Sequence, residues 1–542
     1  ISGDFAGAFV DDQAQAYLNS PGTISGVARE DAELGTLEIS AKNESIMNPI
    51  SGQATISIAR GDEGAMAGVA GSASVAAFHS SVIATLDNAT IEYLSIDLKA
   101  LNEKKIGTCA AGLQVQAPKG ADLQIAGSVV VNEVENTTIA SISNVTQSEG
   151  LGEVSLSALQ LDQIWGGAGT AAVTYDRRSE RPKAKTAVGV GMSAVWNQID
   201  NATTAEVVGS TLNQSEGVFD VTAEDFTSSR VLSAGVNVTV PAGMAIEIGG
   251  MWATNFVSPL TKALVTGSTI ENAATDDALS VVAVLAPSMD SFAGYFSLEF
   301  GKPLSTKETQ LGVGVGAAVV VNRLGPKDSD GTALPTTAQI SDSTINRSGD
   351  VTVRAFTGAL DDQTSAFVPN QNLVESQVGE LSLHALAIAG SAQGENSASS
   401  SFSVGVVVNG AVVVTDLKID TQATVTTNSL INDGDSVSES TSMVEILATN
   451  QLTVSTDAGG ASVSESVSLS GTSVDIAVGG ADNSFDSSNQ TSATIADNSS
   501  VVAESLDVVA SHSPEIDNVA FGVAVSVAVS TGMFGAAIGF SG

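Results

Sequence analysis

Ala338-Gln-Ile-Ser-Asp-Ser-Thr-Ile345, followed after a short polar gap by Asp350-Val-Thr-Val-Arg-Ala355, is the stretch that decides the fold. Apolar residues alternate with polar ones, which is the period of a strand; the 3.6-residue period of an amphipathic helix is absent. Ser341-Asp-Ser343 breaks the alternation with residues that favour turns. The phrase therefore reads as a strand with a serine turn, a gap, and a second strand that closes on alanine.

The phrase recurs along the chain. Ala205–Leu212 precedes Phe219-Asp-Val-Thr-Ala223, Ala263–Ile270 precedes Leu279-Ser-Val-Val-Ala283, and Ala140–Val145 precedes Val154-Ser-Leu-Ser-Ala158. Ala84–Ile91 stands before Leu94–Ala100, Ala423–Leu430 before Val444–Ala448, and Ala493–Val502 before Leu506–Ala510. Near the start, Leu37-Glu-Ile-Ser-Ala41 stands alone. The closing alanines (Ala41, Ala100, Ala158, Ala223, Ala283, Ala355, Ala448 and Ala510) are spaced by roughly 60 residues, stretched where loops intervene. Upstream of many copies lies a Gly/Val/Ala run such as Leu311–Val321.

One such unit cannot close a core by itself, but stacked copies can, each strand pairing with the coils above and below. The expected fold is all-β: a right-handed parallel β-solenoid, or β-helix, of stacked repeats. It forms one continuous array over residues 1–542, in units 1–41, 42–100, 101–158, 159–223, 224–283, 284–355, 356–448, 449–510 and a partial 511–542. Val221, Val281, Ile340, Val351 and Val353 occupy matching positions and are expected to face inward. With about 20 residues per coil, each unit would hold three coils and the rod would be on the order of 130 Å long. Tandem β-sandwich domains are the alternative. Such domains usually carry a core aromatic each, whereas Trp165, Trp196 and Trp252 fall only in the middle units.

Composition narrows the function. Lys+Arg number 21 against Asp+Glu 60, a formal net charge of -39. Such a surface excludes nucleic acid, which needs Lys and Arg for its phosphates, and is repelled by anionic lipid headgroups. A hydrophobic fraction of 43% and a positive mean hydropathy separate the chain from disordered acidic sequences. Cys109 is the single cysteine, so no intrachain disulfide can form. Asn518–Gly542 is long enough to span a membrane as a helix, but its small residues fall at period two, so no transmembrane segment is expected. Ile1 and Gly542 read as cuts within something longer, with no signal peptide.

Gly314-Val-Gly-Ala-Ala-Val-Val-Val-Asn322, then Ala338–Ile345, then Asp350–Ala355, resembles the repeats of leukotoxin-type filamentous adhesins, giant bacterial exoproteins with β-helical repeats. The resemblance covers most of the chain through a degenerate pattern, and this chain departs from it in longer insertions and irregular spacing. It implies surface display, length and adhesion, and carries over no catalytic residue. The expected function is an extracellular or cell-surface structural or adhesive repeat protein, not an enzyme, forming a fibre, filament or layer. Its expected partners are other copies, other surface proteins or glycans. A glycan-binding or polysaccharide-acting β-helix is the alternative, which for catalysis requires a cleft of converging carboxylates, basic residues and aromatic platforms.

Few side chains suggest a site. Asp328 and Asp330, and Asp433 and Asp435, place carboxylates two apart as hard-cation loops do, which makes Ca²⁺ the one candidate cofactor. Neither pair is followed by the distal Glu of an EF-hand, and Gly479–Asp482 resembles only a single copy of a calcium-binding nonapeptide that normally comes in tandem. Arg177, Arg178, Arg181, Lys183 and Lys185 cluster in an otherwise acidic chain and are candidates for contact with an acidic neighbour. His79, His384 and His512 lie in unrelated units. Sequons stand at Asn88, Asn136, Asn144, Asn201 and Asn237. Gly325–Thr337 and Gly358–Ser401 are insertions expected to leave the stack as loops.

Overall fold

In a computed structural model the described residues are 2–26, 34–58, 66–117, 122–175, 186–214, 217–240, 244–272, 278–300, 310–326, 333–346, 349–358, 382–397, 402–432, 443–468, 471–530 and 534–542. Among them every regular element is a strand, and the strands form a 12-stranded, a 13-stranded and an 8-stranded sheet. The pairing is parallel, as in Met66–Asp87 on Asp122–Ser143 and Leu94–Ala117 on Val154–Tyr175. The chain is a parallel β-solenoid, not a row of sandwiches.

Each circuit runs along the first wide sheet, crosses the narrow sheet and returns along the second wide sheet: Met66–Asp87, Thr90–Glu92 and Leu94–Ala117, for example. Met66 pairs with Asp122 and Met289 with Leu383, so a circuit takes 56 residues at its shortest and 94 at its longest. One repeat is therefore one wide coil and not three narrow ones. The 8-stranded narrow sheet counts the coils, and at the usual strand spacing they stack to about 40 Å, well short of the 130 Å rod. The sequence misled because alternation looks the same in one long strand as in several short ones. The Gly/Val/Ala run and the first strand of the phrase are a single element in Thr186–Val208, which ends just after Ala205.

Register is strict. Ala41, Ala100, Ala158, Ala223, Ala283, Ala355, Ala448 and Ala510 stack in one column of the second wide sheet. Across from them Ala16, Ala84, Ala140, Ala205, Ala263, Ala338, Ala423 and Ala493 stack in the first. Alanine suits both columns because the two wide sheets begin to close on each other there, on the way from the narrow sheet to their remote halves, and a larger side chain would push them apart. Val221, Val281, Ile340, Val351 and Val353 face this wedge and are fully buried.

The turn into the narrow sheet is built once per coil. Asn88, Asn144, Gly209, Gly267 and Asp342 all have φ between 48° and 59°, the left-handed region open to Gly and Asn or Asp. After Gly209, Gly267 and Asp342 a serine follows and accepts a hydrogen bond from the coil before: Val145 N donates to Ser210 Oγ at 3.1 Å, Ser210 N to Ser268 Oγ at 3.2 Å, and Ser268 N to Ser343 Oγ at 3.1 Å. Each hydroxyl donates in turn to a carbonyl two residues back, as Ser268 Oγ does to Thr266 O at 3.0 Å. A serine column thus satisfies backbone groups that a bend would otherwise leave unpaired.

Polarity inverts along the wide strands. Beside the narrow sheet the interior is aliphatic and the outside carries charge, with Asp97 paired to Lys99 at 2.5 Å and Glu103 to Lys105 at 2.7 Å. In the half remote from the narrow sheet, the strand ending Val231–Val240 turns Ser233, Gly235, Asn237 and Thr239 inward and Leu232, Ala234, Val236, Val238 and Val240 outward. The first wide sheet does the same, with Ser403, Gly405 and Asn409 inside and Phe402, Val404, Val406 and Val408 outside.

Val353→Asp places a carboxylate in the aliphatic wedge with no partner, and is expected to lower unfolding stability by about 3–5 kcal/mol in denaturant melts. Unchanged melting would show that Val353 is not a core position.

Candidate functional site

The residues singled out in sequence do not converge on a site. Asp328, Asp330, Asp433 and Asp435 lie outside the described residues, as do Arg177, Arg178, Arg181, Lys183 and Lys185. The histidines are on separate coils: His79 faces Glu135 of the next coil at 3.6 Å, His384 Nε2 lies 2.6 Å from Ser382 Oγ, and His512 Nδ1 lies 3.2 Å from Thr491 Oγ1. Among the sequons, Asn88 and Asn144 are exposed at the bends, whereas Asn136, Asn201 and Asn237 point into the interior and are inaccessible to a glycosylating enzyme in the folded chain. Among the described residues no group of three or more His, Cys, Asp or Glu side chains is arranged to hold a metal ion.

The interior contains a polar assembly that the sequence reading did not identify. Asn132, Asn197, Asn255 and Asn322 form one column of the first wide sheet. Asn132 Nδ2 donates to Asn197 Oδ1 at 2.7 Å, the ladder that in-register stacking of one amide type produces. Four residues further along, Asn136 Nδ2 donates to Asn201 Oδ1 at 3.1 Å. Both amides also donate to Asp162 Oδ2 on the opposite sheet, at 3.1 and 2.8 Å. Asn201 Nδ2 reaches Asp225 Oδ1 at 3.4 Å, and Thr227 Oγ1 donates to the same oxygen at 2.6 Å.

Lys104 stacks directly on Asp162 in register, and its ammonium sits 4.3 Å from the Phe78 ring centroid. Its Nζ has no hydrogen-bond partner among the described residues. Burial lowers the Lys104 pKa to about 8, against the attraction of Asp162 and Asp12. Burial raises Asp162 to about 6, opposed by the amides and Lys104, and Asp225 to about 7, helped by repulsion from Asp162. These groups are sealed from solvent.

A second interior group lies in the inverted half. Tyr295 crosses between the sheets, its ring against Gly249 and Gly316, where any Cβ would collide with it. Asn237 Nδ2 donates to its hydroxyl at 3.0 Å. Glu247, which accepts from Ser297, is pushed up to about 7 by burial. The signal for these positions was present in sequence as polar residues at alternate strand positions, such as Asn102 and Lys104 or Gln160 and Asp162. Without knowing which alternate set faces inward, they read as a solvated face.

Outside, a shallow groove of about 1030 Å³ runs up the first wide sheet across several coils. Its floor is a column of small residues (Gly71, Gly127, Gly250 and Ala317, broken by Met192), and Trp252 and Val129 flank it. No known protein family, curated protein or solved structure matches this chain.

The buried acids set a pH dependence. Asp162, Asp225 and Glu247 titrate higher when folded than when unfolded, so between their ordinary values and about 7 the native state binds more protons. Stability therefore falls as pH rises through that window. Lys104 acts on the alkaline side: between about 8 and 10.5 the native state binds fewer protons, and stability rises with pH there. Melting temperature is expected to be higher near pH 5 than near pH 8. Asp225→Asn should flatten that slope and add about 2 kcal/mol at the higher pH. An unchanged slope would show that Asp225 is not the titrating group.

Proposed function

We propose that this chain is a structural or adhesive section of an extracellular surface protein, serving as a rigid spacer in a fibre, filament or layer and having no catalytic role. The observation that carries the reading is the unbroken in-register stack of coils, a form suited to length and display. Among the described residues the first and last strands of the first wide sheet, Ser2–Asn19 and Phe534–Ser541, hold the same parallel register as the strands between them. The acidic surface supports a role away from nucleic acid, and the resemblance to leukotoxin-type filamentous adhesins supports display outside the cell. No helix among the described residues is long and apolar enough to cross a membrane.

Electron microscopy of native material is expected to show elongated particles many times the roughly 40 Å of this stack. Compact, monodisperse particles of that height alone would overturn the spacer reading.

A further inference from the structure

We infer that the half of both wide sheets remote from the narrow sheet is embedded in the hydrocarbon of a lipid bilayer. This does not rest on the adhesive reading. In water the arrangement is doubly unfavourable, since apolar side chains are exposed while polar ones are enclosed. In lipid both terms change sign: apolar-out and polar-in alternation is the pattern of strands that cross membranes.

Three independent features give this band the dimensions of a bilayer. The first is height. On one strand Trp165 and Tyr175 both point outward, ten residues apart and 40% and 53% exposed. Ten strand residues span about 33 Å, against about 30 Å for the hydrocarbon core.

The second is the position of the aromatics. Trp165, Trp196 and Trp252, all the tryptophans of the chain, point outward at the border facing the narrow sheet. At the other border Tyr175 and Phe300 end their strands, and Phe402 and Phe534 begin theirs. Every tryptophan at one border and an aromatic row at the other, about an apolar band that also holds Phe296 and Phe521, are what membrane interfaces select.

The third is the concentration of charge at the borders, with Asp457, in the Leu232 column, as a charge inside the band. The Trp165 column continues on the next coils as Arg230 and Asp290, an ion pair at 3.0 Å. The column next to Trp196, on the narrow-sheet side, holds Glu133, Arg323 and Asp416. Past Tyr175 the sequence resumes charge at once with Asp176-Arg-Arg178.

The backbone meets the same requirement. Within the band each internal strand is paired on both sides, so its N–H and C=O groups need no water, and the edge strands Ser2–Asn19 and Phe534–Ser541 meet the requirement when a further strand pairs with them. A second protein copy could cover one apolar face, but that would not account for matching bands on two opposite faces over a polar interior. The occupant is therefore lipid. With a net charge of -39, the protein should favour zwitterionic over anionic headgroups.

The test uses vesicles of phosphatidylcholine brominated either near the headgroup end or near the tail end of the acyl chain. Native tryptophan fluorescence should be quenched by both lipids, more strongly by the shallow bromines. In a Cys109→Ser background, Ala171→Cys carrying bimane reports from mid-band and should be quenched more strongly by the deep bromines. Val236→Asp sits in the same outward column as Ala171 and should weaken vesicle partition by about thirty-fold while leaving the strand signal in circular dichroism unchanged. The inference is overturned if the folded protein stays unquenched in the presence of vesicles. It is equally overturned if Val236→Asp partitions like the parent, or if lipid-free protein self-associates through this face and excludes the vesicles.

Discussion

The parallel hydrogen-bond register is the constraint on which everything else depends. Once Ala100 is set beside Ala158, every other residue of the coil is assigned a column, and inside the stack several columns repeat one side-chain type from coil to coil. Where two sheets converge the column is alanine, at the bend it is serine, and in the middle of the first wide sheet it is asparagine. Each choice is local physics repeated. Alanine permits close approach, serine closes a bend, and an amide is both donor and acceptor to the amide one coil away.

The wedge beside the narrow sheet and the remote half hold the coil by different means. The wedge buries branched aliphatics in a dry core, and its stabilisation follows apolar area. The interior of the remote half relies on small side chains and hydrogen bonds, with Tyr295 bridging the sheets at the cost of requiring glycine opposite it. Lys104, Asp162 and Asp225 lie between the two regimes. A buried network of this kind adds little net stability compared with an aliphatic replacement, but it penalises any slip that would unpair it. Register is what such a network can protect.

Fold class was legible in the sequence because period two and a recurring turn phrase are local properties. The matching alanines of the phrase proved to be physical neighbours, coil upon coil. Coil width was not legible, since strand length is set by where a chain must bend, and the long wide strands carry no bend signal between the Gly/Val/Ala run and the phrase that follows it. The same gap hid the interior polar groups. In Leu101-Asn-Glu-Lys-Lys105, either Asn102 and Lys104 or Glu103 and Lys105 could face solvent, and pairing with the next coil decides it. The stretches that drew attention by composition, around Arg177 and Asp433, lack the period-two alternation that made the strands legible.

The width of the coil also has a mechanical meaning. All the bonds between adjacent coils run along the stack axis, so a load spread evenly over the end of the stack is shared by a whole interface at once. A load on one end of the polypeptide instead meets them one after another, as in unzipping. A circuit of the kind that separates Thr186 from Met244, 58 residues, releases about 190 Å of slack for each 5 Å of stack lost. Such a tether yields in steps, each absorbing work before the next coil is engaged, and the anchored remainder keeps its register while the outermost coil is drawn out.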